Sequence, residues 1–223
     1  MKKVLITGGA TGIGKATAEL FCKNGWQVYI TYNNTESEAS EKIMAIHCDV
    51  CDEKQIEELF QKVGDIDVLV NNAGISLVKQ IQDTTAEEYD RVMNTNCKSA
   101  FLCCREAVKI MLSRHSGRII NVASMWGEVG ASCEVAYSVS KAGVIGLTKA
   151  LARELAPEGI TVNCVSPGII DTRMNAQFSS EELADEVPMG RLGTPEEVAQ
   201  AIFFFSLADY VTGQVLGVNG AII

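Results

Sequence analysis

Three side chains in the middle of the sequence could take part in one proton-transfer reaction. Tyr137 and Lys141 are four residues apart in a segment with helical periodicity, so both should lie on one face of that helix. A phenol has a pKa of about 10 on its own, and a neighbouring cation favours its ionised form. Ser124 follows a predicted strand upstream, where its hydroxyl could hold a substrate carbonyl. The three residues together predict acid–base chemistry at that carbonyl.

Asn96 is a fourth candidate, in a stretch with helical character over residues 86–113. Its amide could anchor a water molecule that connects Lys141 to solvent. Packing inside the helix is an equally good interpretation, and the residues alone leave both open.

A glycine-rich turn, Thr7-Gly8-Gly9-Ala10-Thr11-Gly12-Ile13-Gly14, joins the first predicted strand to a helix. Glycines at this place allow the backbone to approach a pyrophosphate at the helix N-terminus. The spacing differs from the usual Gly-x-Gly-x-x-Gly, and a plain strand-to-helix turn is the alternative. Its position directly after the opening strand favours a dinucleotide site.

The end of the second predicted strand bears on the choice of cofactor. In NAD-specific sites an acidic residue here binds the ribose hydroxyls and repels a 2′-phosphate. This strand instead runs into Asn33 and Asn34, and the first carboxylate is Glu36. No basic residue stands there either, and Thr11 occupies a turn position where one would help. We therefore expect NADP(H) to be favoured over NAD(H).

Strand-like and helix-like segments alternate along the whole chain, which predicts an α/β fold with a doubly wound parallel sheet in a single domain, residues 1–223. In such folds ligands bind beyond the carboxyl ends of the strands. Asp49 follows a predicted strand, where adenine binding and capping of the strand end are alternatives. The predicted strands are 4–7, 27–31, 45–47, 68–70, 118–122, 161–165 and 214–218, and the clearest helices are 13–24, 53–63, 86–113, 136–156 and 195–207.

Composition and charge restrict the partners. The 223 residues carry a formal net charge of -9, so phosphate backbones and anionic lipids would be repelled, and we expect neither nucleic-acid nor membrane partners. The apolar run behind Lys2 and Lys3 is too short for a signal peptide or a membrane span, which favours a cytoplasmic protein. Eight cysteines without a secretory signal indicate reduced thiols. Cys48 and Cys51 form a lone CxxC, which we interpret as a strand end rather than a metal site.

Taken together, these motifs resemble the short-chain dehydrogenase/reductase family in order and spacing over the whole chain. Within the family the chain is most similar to bacterial 3-oxoacyl-[acyl-carrier-protein] reductases. The motifs that carry the resemblance are Thr7 to Gly14, Asn71-Asn72-Ala73-Gly74, Asn96, Ser124, Tyr137-x-x-x-Lys141 and Asn163 to Gly168, with Gly190-Arg191-Leu192-Gly193 and Val218-Asn219-Gly220 near the end.

The resemblance implies specific roles. Asn96, Ser124, Tyr137 and Lys141 would be catalytic, and Lys141 would also hold the nicotinamide ribose. The implied cofactor contacts are Gly8, Gly12, Ile13 and Gly14 at the pyrophosphate, Asp49 and Val50 at the adenine, Asn72, Ala73 and Gly74 beside the nicotinamide-side ribose, and Ile170 and Thr172, after Pro167 and Gly168, near the carboxamide.

The resemblance also implies a homotetramer or dimer built on helices 86–113 and 136–156. The chain departs from the family in a short stretch over residues 33–44 and in its carrier-protein surface. Arg114 is retained near the expected mouth of the site, but Glu158 replaces a second basic residue, so we expect little gain from carrier-protein docking. Glu134 lies either in the pocket or on a solvated loop, and the loop is the favoured interpretation.

The leading hypothesis is an NADP(H)-dependent oxidoreductase that interconverts a ketone and a secondary alcohol, with 3-oxoacyl thioesters as the substrate class. A dehydrogenase of small polyols, sugars or cyclic alcohols is the alternative enzyme, and residues 175–188, an expected lid, would decide between them. A catalytically silent NAD(P)-binding regulator is the alternative from another class. It predicts a broken catalytic set, whereas Ser124, Tyr137 and Lys141 are all present.

Overall fold

A single parallel sheet organises the chain in the computed structural model, which describes residues 1–35, 42–176 and 178–223. The seven strands found in these ranges are β1 (Lys3–Ile6), β2 (Gln27–Tyr32), β3 (Ile43–His47), β4 (Val68–Asn71), β5 (Gly117–Val122), β6 (Ile160–Pro167) and β7 (Val215–Val218). They are ordered β3-β2-β1-β4-β5-β6-β7. Strand order reverses after β3, beside β1 and β4, which is where doubly wound folds bind ligands.

Helices cover both faces of the sheet. They are α1 (Gly12–Lys23), α2 (Glu53–Val63), α3 (Ala86–Met93), α4 (Ser99–Leu112), α5 (Trp126–Val129), α6 (Val135–Leu155), α7 (Ser180–Asp185) and α8 (Pro195–Leu207). A π-helical turn, Asn94–Lys98, joins α3 to α4. None of the helices in the described ranges is long and apolar enough to cross a membrane.

The alternation of side chains along β1 shows why the sheet needs cover on both faces. Leu5 packs into a cluster with residues of α2 and α4, whereas Val4 and Ile6 pack into a second cluster with residues of α1 and α8. All three side chains are fully buried. Burying an aliphatic side chain of this size contributes roughly 1.5–3 kcal/mol, so a polar residue on either face of β1 would be costly.

Local sequence determines where several helices begin. Asp52 accepts a hydrogen bond from the Lys54 amide, 2.9 Å long, and caps α2. Thr85 and Glu88 form a reciprocal capping box at α3, and Thr194 and Glu197 form another at α8. Each cap contributes about 1 kcal/mol and gives the preceding loop a defined end.

The predicted architecture is confirmed, and two of the predicted helices, 53–63 and 195–207, have the bounds of α2 and α8. The predicted helical stretch over 86–113 is confirmed for residues 86–112, and the π turn within it, which was not predicted, adds an extra residue between α3 and α4. The short helices α5 and α7 were not predicted. Residues 36–41, which include Glu36 and most of the short stretch after β2, lie outside the described residues, and so does Gln177.

Candidate active site

A cleft of about 840 Å³ runs along the carboxyl ends of the strands. It is lined by all but two of the residues predicted from the sequence. Gly14 and Asn96 do not face it. The predicted residues that do line it are Gly8, Thr11, Gly12, Ile13, Asn33, Asn34, Asp49, Val50, Asn72, Ala73, Gly74, Ser124, Tyr137, Lys141, Pro167, Gly168, Ile170 and Thr172.

The glycine-rich turn depends on conformations and spacings that a side chain would prevent. Gly8 and Gly12 have φ values of 64° and 53°, in the left-handed region. A Cβ atom on Gly14 would lie 2.3 Å from the Gly8 carbonyl oxygen. The absence of a side chain at Gly14 therefore lets α1 pack against the turn, and its contact with the pyrophosphate stays a prediction.

Residues around the turn hold its shape through hydrogen bonds. The Asn72 side-chain amide donates to the carbonyl oxygens of Thr7 and Gly8, each at 3.0 Å. The Thr7 hydroxyl accepts from the amides of Asn72 and Ala73, and the Thr31 hydroxyl accepts from the Gly8 amide. Asn72 is thus committed to the turn itself. The sequence placed Thr7 in the turn motif without a role of its own and did not single out Thr31, although each ends a predicted strand that leads to the turn.

The first turn of α1 is suited to an anion. Its N-cap residue, Thr11, makes no side-chain capping hydrogen bond, and the turn contains no acidic residue. Free amides and the positive end of the helix dipole therefore face the cleft. Arg173, which the sequence analysis did not single out, lines the same cleft directly after Thr172. A pyrophosphate fits the glycine cradle and this helix end.

Three neutral side chains and one carboxylate form the opposite end of the cleft. Asn33, Asn34 and Thr35 follow β2, and Asp49 follows β3. The Asp49 carboxylate accepts a 2.9 Å hydrogen bond from the Cys51 amide in the turn after β3 and also lines the cleft, so adenine binding stays a prediction. Asn33 and Asn34 offer both donors and acceptors to a ribose or a phosphate.

Ser124, Tyr137 and Lys141 converge on one wall of the cleft. Their exposed fractions are 6%, 7% and 4%, so all three are nearly excluded from solvent. The Ser124 hydroxyl accepts a 3.2 Å hydrogen bond from the Trp126 amide, which orients it after β5. The Lys141 ammonium donates a 2.9 Å hydrogen bond to the Val122 carbonyl. A hydroxyl, a phenol and an ammonium group are therefore held together at the end of β5.

Burial dominates the ionisation of these groups. It raises the pKa of Tyr137 to about 12, and the hydrogen bond with Ser124 opposes this rise while the Glu134 charge adds to it. Burial also lowers the pKa of Lys141 to about 8. Loss of hydration is thus the largest effect on the Tyr137 pKa in the protein alone, and stabilisation of the phenolate by Lys141 stays a prediction. The phenol is held protonated, ready to act as an acid.

Asn96 lies in the π turn, and its side-chain amide makes three hydrogen bonds to other residues. Its Oδ1 accepts from the Ile75 amide at 2.8 Å, and its Nδ2 donates to the Ile75 carbonyl and to the Ser140 hydroxyl, each at 2.9 Å. Ser140 in turn donates to the Tyr137 carbonyl at 2.7 Å. Asn96 therefore ties the loop after β4 to the first turns of α6. A water anchored by Asn96 stays a prediction.

The far wall of the cleft follows β6. Asn175 Nδ2 donates to the Ile170 carbonyl at 2.8 Å, and the Thr172 methyl group would contact a Cβ on Gly12 at 3.4 Å. Glu134 also reaches this region, because it lines a smaller cleft with Ser124 and Tyr137. The favoured interpretation of Glu134 as a solvated loop charge is therefore wrong.

Arg114 lies at the amino ends of the strands, opposite the cleft. It pairs with Asp67, which precedes β4, and Glu158 pairs with His115, which precedes β5. These are the amino ends of the strands, whereas the cleft lies at the carboxyl ends. The expectation that Arg114 lies near the mouth of this cleft is wrong within one chain, because the α4–β5 connection returns to the far edge.

A family model described as enoyl-(acyl carrier protein) reductase matches residues 8–221. The 3-oxoacyl-[acyl-carrier-protein] reductase FabG of Thermotoga maritima is 41% identical over 100% of this chain and 98% of its own length. The chain belongs to the short-chain dehydrogenase/reductase family. The resemblance read from the sequence is confirmed.

Two further similarities support the same short-chain dehydrogenase/reductase assignment. The 3-oxoacyl-[acyl-carrier-protein] reductase of Synechocystis sp. is 37% identical over 98% of this chain and 96% of its own length. The solved structure of ElxO with NADP bound superimposes with a TM-score of 0.92 at 37% identity, covering 99% of this chain and 98% of that one. As a short-chain dehydrogenase/reductase, the protein is an oxidoreductase.

Proposed function

We propose that the protein is an NADPH-dependent reductase that converts 3-oxoacyl thioesters to the corresponding secondary alcohols. The observation that carries the proposal is the buried convergence of Ser124, Tyr137 and Lys141 on a cleft that fits a dinucleotide. The relatives named as 3-oxoacyl-[acyl-carrier-protein] reductases support the substrate class.

In this mechanism each residue acts at a stated atom. A reduced nicotinamide, when bound, would supply the hydride that the carbonyl carbon of the substrate accepts. Ser124 donates a hydrogen bond to the substrate carbonyl oxygen, and Tyr137 Oη transfers its proton to the same oxygen as charge develops there. Lys141 stabilises the phenolate that remains, because its ammonium lies beside the Tyr137 ring. Asn96 is a positioning residue that keeps α6 against the loop after β4.

The glycine cradle and the α1 N-terminus would hold the cofactor pyrophosphate, and Asp49 and Val50 would lie at the adenine. Ala73 and Gly74 would lie beside the nicotinamide-side ribose, and Ile170 and Thr172 near the carboxamide. We favour NADPH because Asn33, Asn34 and Thr11 place neutral donors, rather than a carboxylate, where a 2′-phosphate would bind. The NADP-bound structure of the related ElxO supports this choice.

We further propose a cytoplasmic homotetramer or dimer whose substrates need no carrier protein. Exposed apolar side chains on the two long helices, among them Phe101 on α4 and Val139 on α6, support self-association. The net charge of -9 would oppose an acidic carrier. Arg114 is already paired with Asp67 and Glu158 contacts His115, which leaves little basic surface between them.

The direct test is NADPH oxidation by the purified protein over a panel of carbonyl compounds. The panel contains a 3-oxobutanoyl thioester, its carrier-protein form, and ketones derived from sugars, polyols and cyclic alcohols. We expect the free thioester to give the highest kcat/KM and the carrier form to add little at either low or high salt. A clear preference for a sugar or cyclic ketone would overturn the substrate class, and cofactor binding without turnover would indicate a silent regulator.

A further inference from the structure

A small cleft extends the catalytic site away from the glycine turn. Ser124 and Tyr137 form its inner end, so a substrate held by these two hydroxyls must project into it or past it. Its other lining is mixed, with Val78, Trp126 and Phe178 among the apolar contributors and Ser76 and Asn175 among the polar ones. Among the described residues that line it, Glu134 alone carries a charge.

The Glu134 carboxylate has no structural partner that accounts for it. It occupies the N-cap position of α6 but makes no capping hydrogen bond. Within the described ranges it forms neither a side-chain hydrogen bond nor an ion pair. Lys79, whose backbone amide bonds to the adjacent Cys133 carbonyl, has its ammonium engaged by both carboxylate oxygens of Glu88.

This carboxylate is also electrically close to the reacting phenol. Its charge raises the pKa of Tyr137, and partial burial raises the pKa of Glu134 itself. A half-buried carboxylate without a partner gains most from a ligand that donates a hydrogen bond, and it disfavours a second negative charge nearby. The substrate is the molecule that enters this cleft.

We propose that Glu134 is a specificity-determining residue, which accepts a hydrogen bond from a donor near the substrate carbonyl and excludes substrates that carry a carboxylate there. The inference rests on the proposed function only in requiring that a carbonyl compound binds between Ser124 and Tyr137. It narrows the substrates to neutral compounds, and among these it favours the ones with an N–H or O–H group close to the ketone.

Three compounds of nearly equal size separate the two effects. Acetoacetamide carries an N–H donor, methyl acetoacetate carries neither donor nor charge, and acetoacetate carries a carboxylate. Their affinities for the complex with oxidised cofactor are measured by calorimetry, because a ketone and an oxidised nicotinamide form a complex that does not turn over. We expect wild type to bind the amide about tenfold or more tightly than the acid, with the ester between them.

Glu134→Gln keeps the shape of the side chain and removes its charge. In this variant we expect the affinity for the acid to come within about threefold of the affinity for the ester, since the repulsion between the two carboxylates is gone. Glu128→Gln is the matched control, because Glu128 is an exposed glutamate in α5 that does not line the small cleft, and it should leave the three affinities in their wild-type ratios.

The same affinity ratios in wild type and Glu134→Gln would overturn the proposal. A change of the ratios in Glu128→Gln as large as in Glu134→Gln would overturn it too, and so would a failure of wild type to bind the amide. If Glu134 acts only on the helix dipole, the variant would lower Tm and leave the ratios unchanged. Failure of the proposed function is distinguishable, because it would appear as absence of NADPH oxidation with the 3-oxobutanoyl thioester while the affinity ratios still respond to Glu134→Gln.

Discussion

The Nζ atom of Lys141 lies 5.7 Å from the centre of the Tyr137 ring. Burial moves the two pKa values apart, that of Tyr137 up to about 12 and that of Lys141 down to about 8. Near neutral pH the phenol therefore keeps its proton and the lysine keeps its charge. This is the ionisation state in which the pair can donate a proton to a carbonyl oxygen and then stabilise the phenolate.

Replacing Tyr137 by Phe should abolish most of the turnover. The variant keeps the ring but lacks the transferable proton, so kcat should fall by about 100- to 10,000-fold. The NADPH dissociation constant should stay within about threefold of wild type, measured by quenching of protein fluorescence. Tyr89→Phe, at an exposed position on α3, is the control and should keep wild-type activity. Turnover close to wild type in Tyr137→Phe would exclude the assigned acid.

Lys141 should make stability depend on pH in a defined window. Its pKa is lowered from 10.5 to about 8 in the folded protein, so between these values the unfolded chain binds a proton that the folded chain does not. Stability should therefore rise as pH increases through this window, and below pH 8 the cost of burying the charge is present in full. Lys141→Met should lose this part of the rise. Urea unfolding from pH 7 to pH 10 measures it, and parallel curves for the two proteins would contradict the prediction.

Asn33→Asp should shift the cofactor preference towards NADH. Asn33 lines the cleft after β2, where a carboxylate would repel a 2′-phosphate and bind ribose hydroxyls instead. We expect wild type to prefer NADPH. In the variant, the ratio of kcat/KM with NADPH to kcat/KM with NADH should fall about tenfold or more. Asn24→Asp, an exposed asparagine at the end of α1, makes the same chemical change outside the cleft. A wild-type protein that prefers NADH tenfold would show that the missing acid was misinterpreted.

Asn96 and Ser140 should be energetically coupled. Asn96→Ala leaves the Ile75 amide without its partner and should reduce the free energy of unfolding by about 1–3 kcal/mol. Ser140→Ala removes a hydroxyl that accepts from Asn96 and donates to the Tyr137 carbonyl, at a cost of about 1 kcal/mol. A double-mutant cycle from urea unfolding should give a coupling of at least about 0.5 kcal/mol. Strictly additive effects would show that the 2.9 Å contact between them contributes nothing.

Phe101→Glu should weaken self-association. Phe101 is 50% exposed on α4, and a charge in the centre of an apolar interface is strongly disfavoured. Light scattering after size-exclusion chromatography should show a smaller molar mass than for wild type. Ile81→Glu alters an apolar residue that is 67% exposed outside the two long helices and should leave the mass unchanged. Identical masses for wild type and Phe101→Glu would remove α4 from the interface.

Features that depend on residues close together in the sequence were predicted correctly. The four-residue interval from Tyr137 to Lys141 places both on one helix face whatever surrounds them. Buried parallel strands read as apolar runs, so their order along the chain and the position of Ser124 just after β5 were predictable. The glycine turn was recognisable because left-handed backbone at Gly8 and Gly12 excludes most other residues.

Other properties were decided only when distant segments packed together. The π turn that directs Asn96 towards Ile75 and Ser140 has no local sequence pattern. It is stabilised by contacts with these two residues, which are 21 and 44 positions away from Asn96 in the sequence. The upward shift of the Tyr137 pKa followed from burial, which depends on the whole fold. Glu134 faces the small cleft because its loop packs beside the chain after β6. By itself the sequence determined which groups are available for catalysis, and the tertiary structure decided their solvation and their neighbours, since both arise from contacts between residues far apart in the chain.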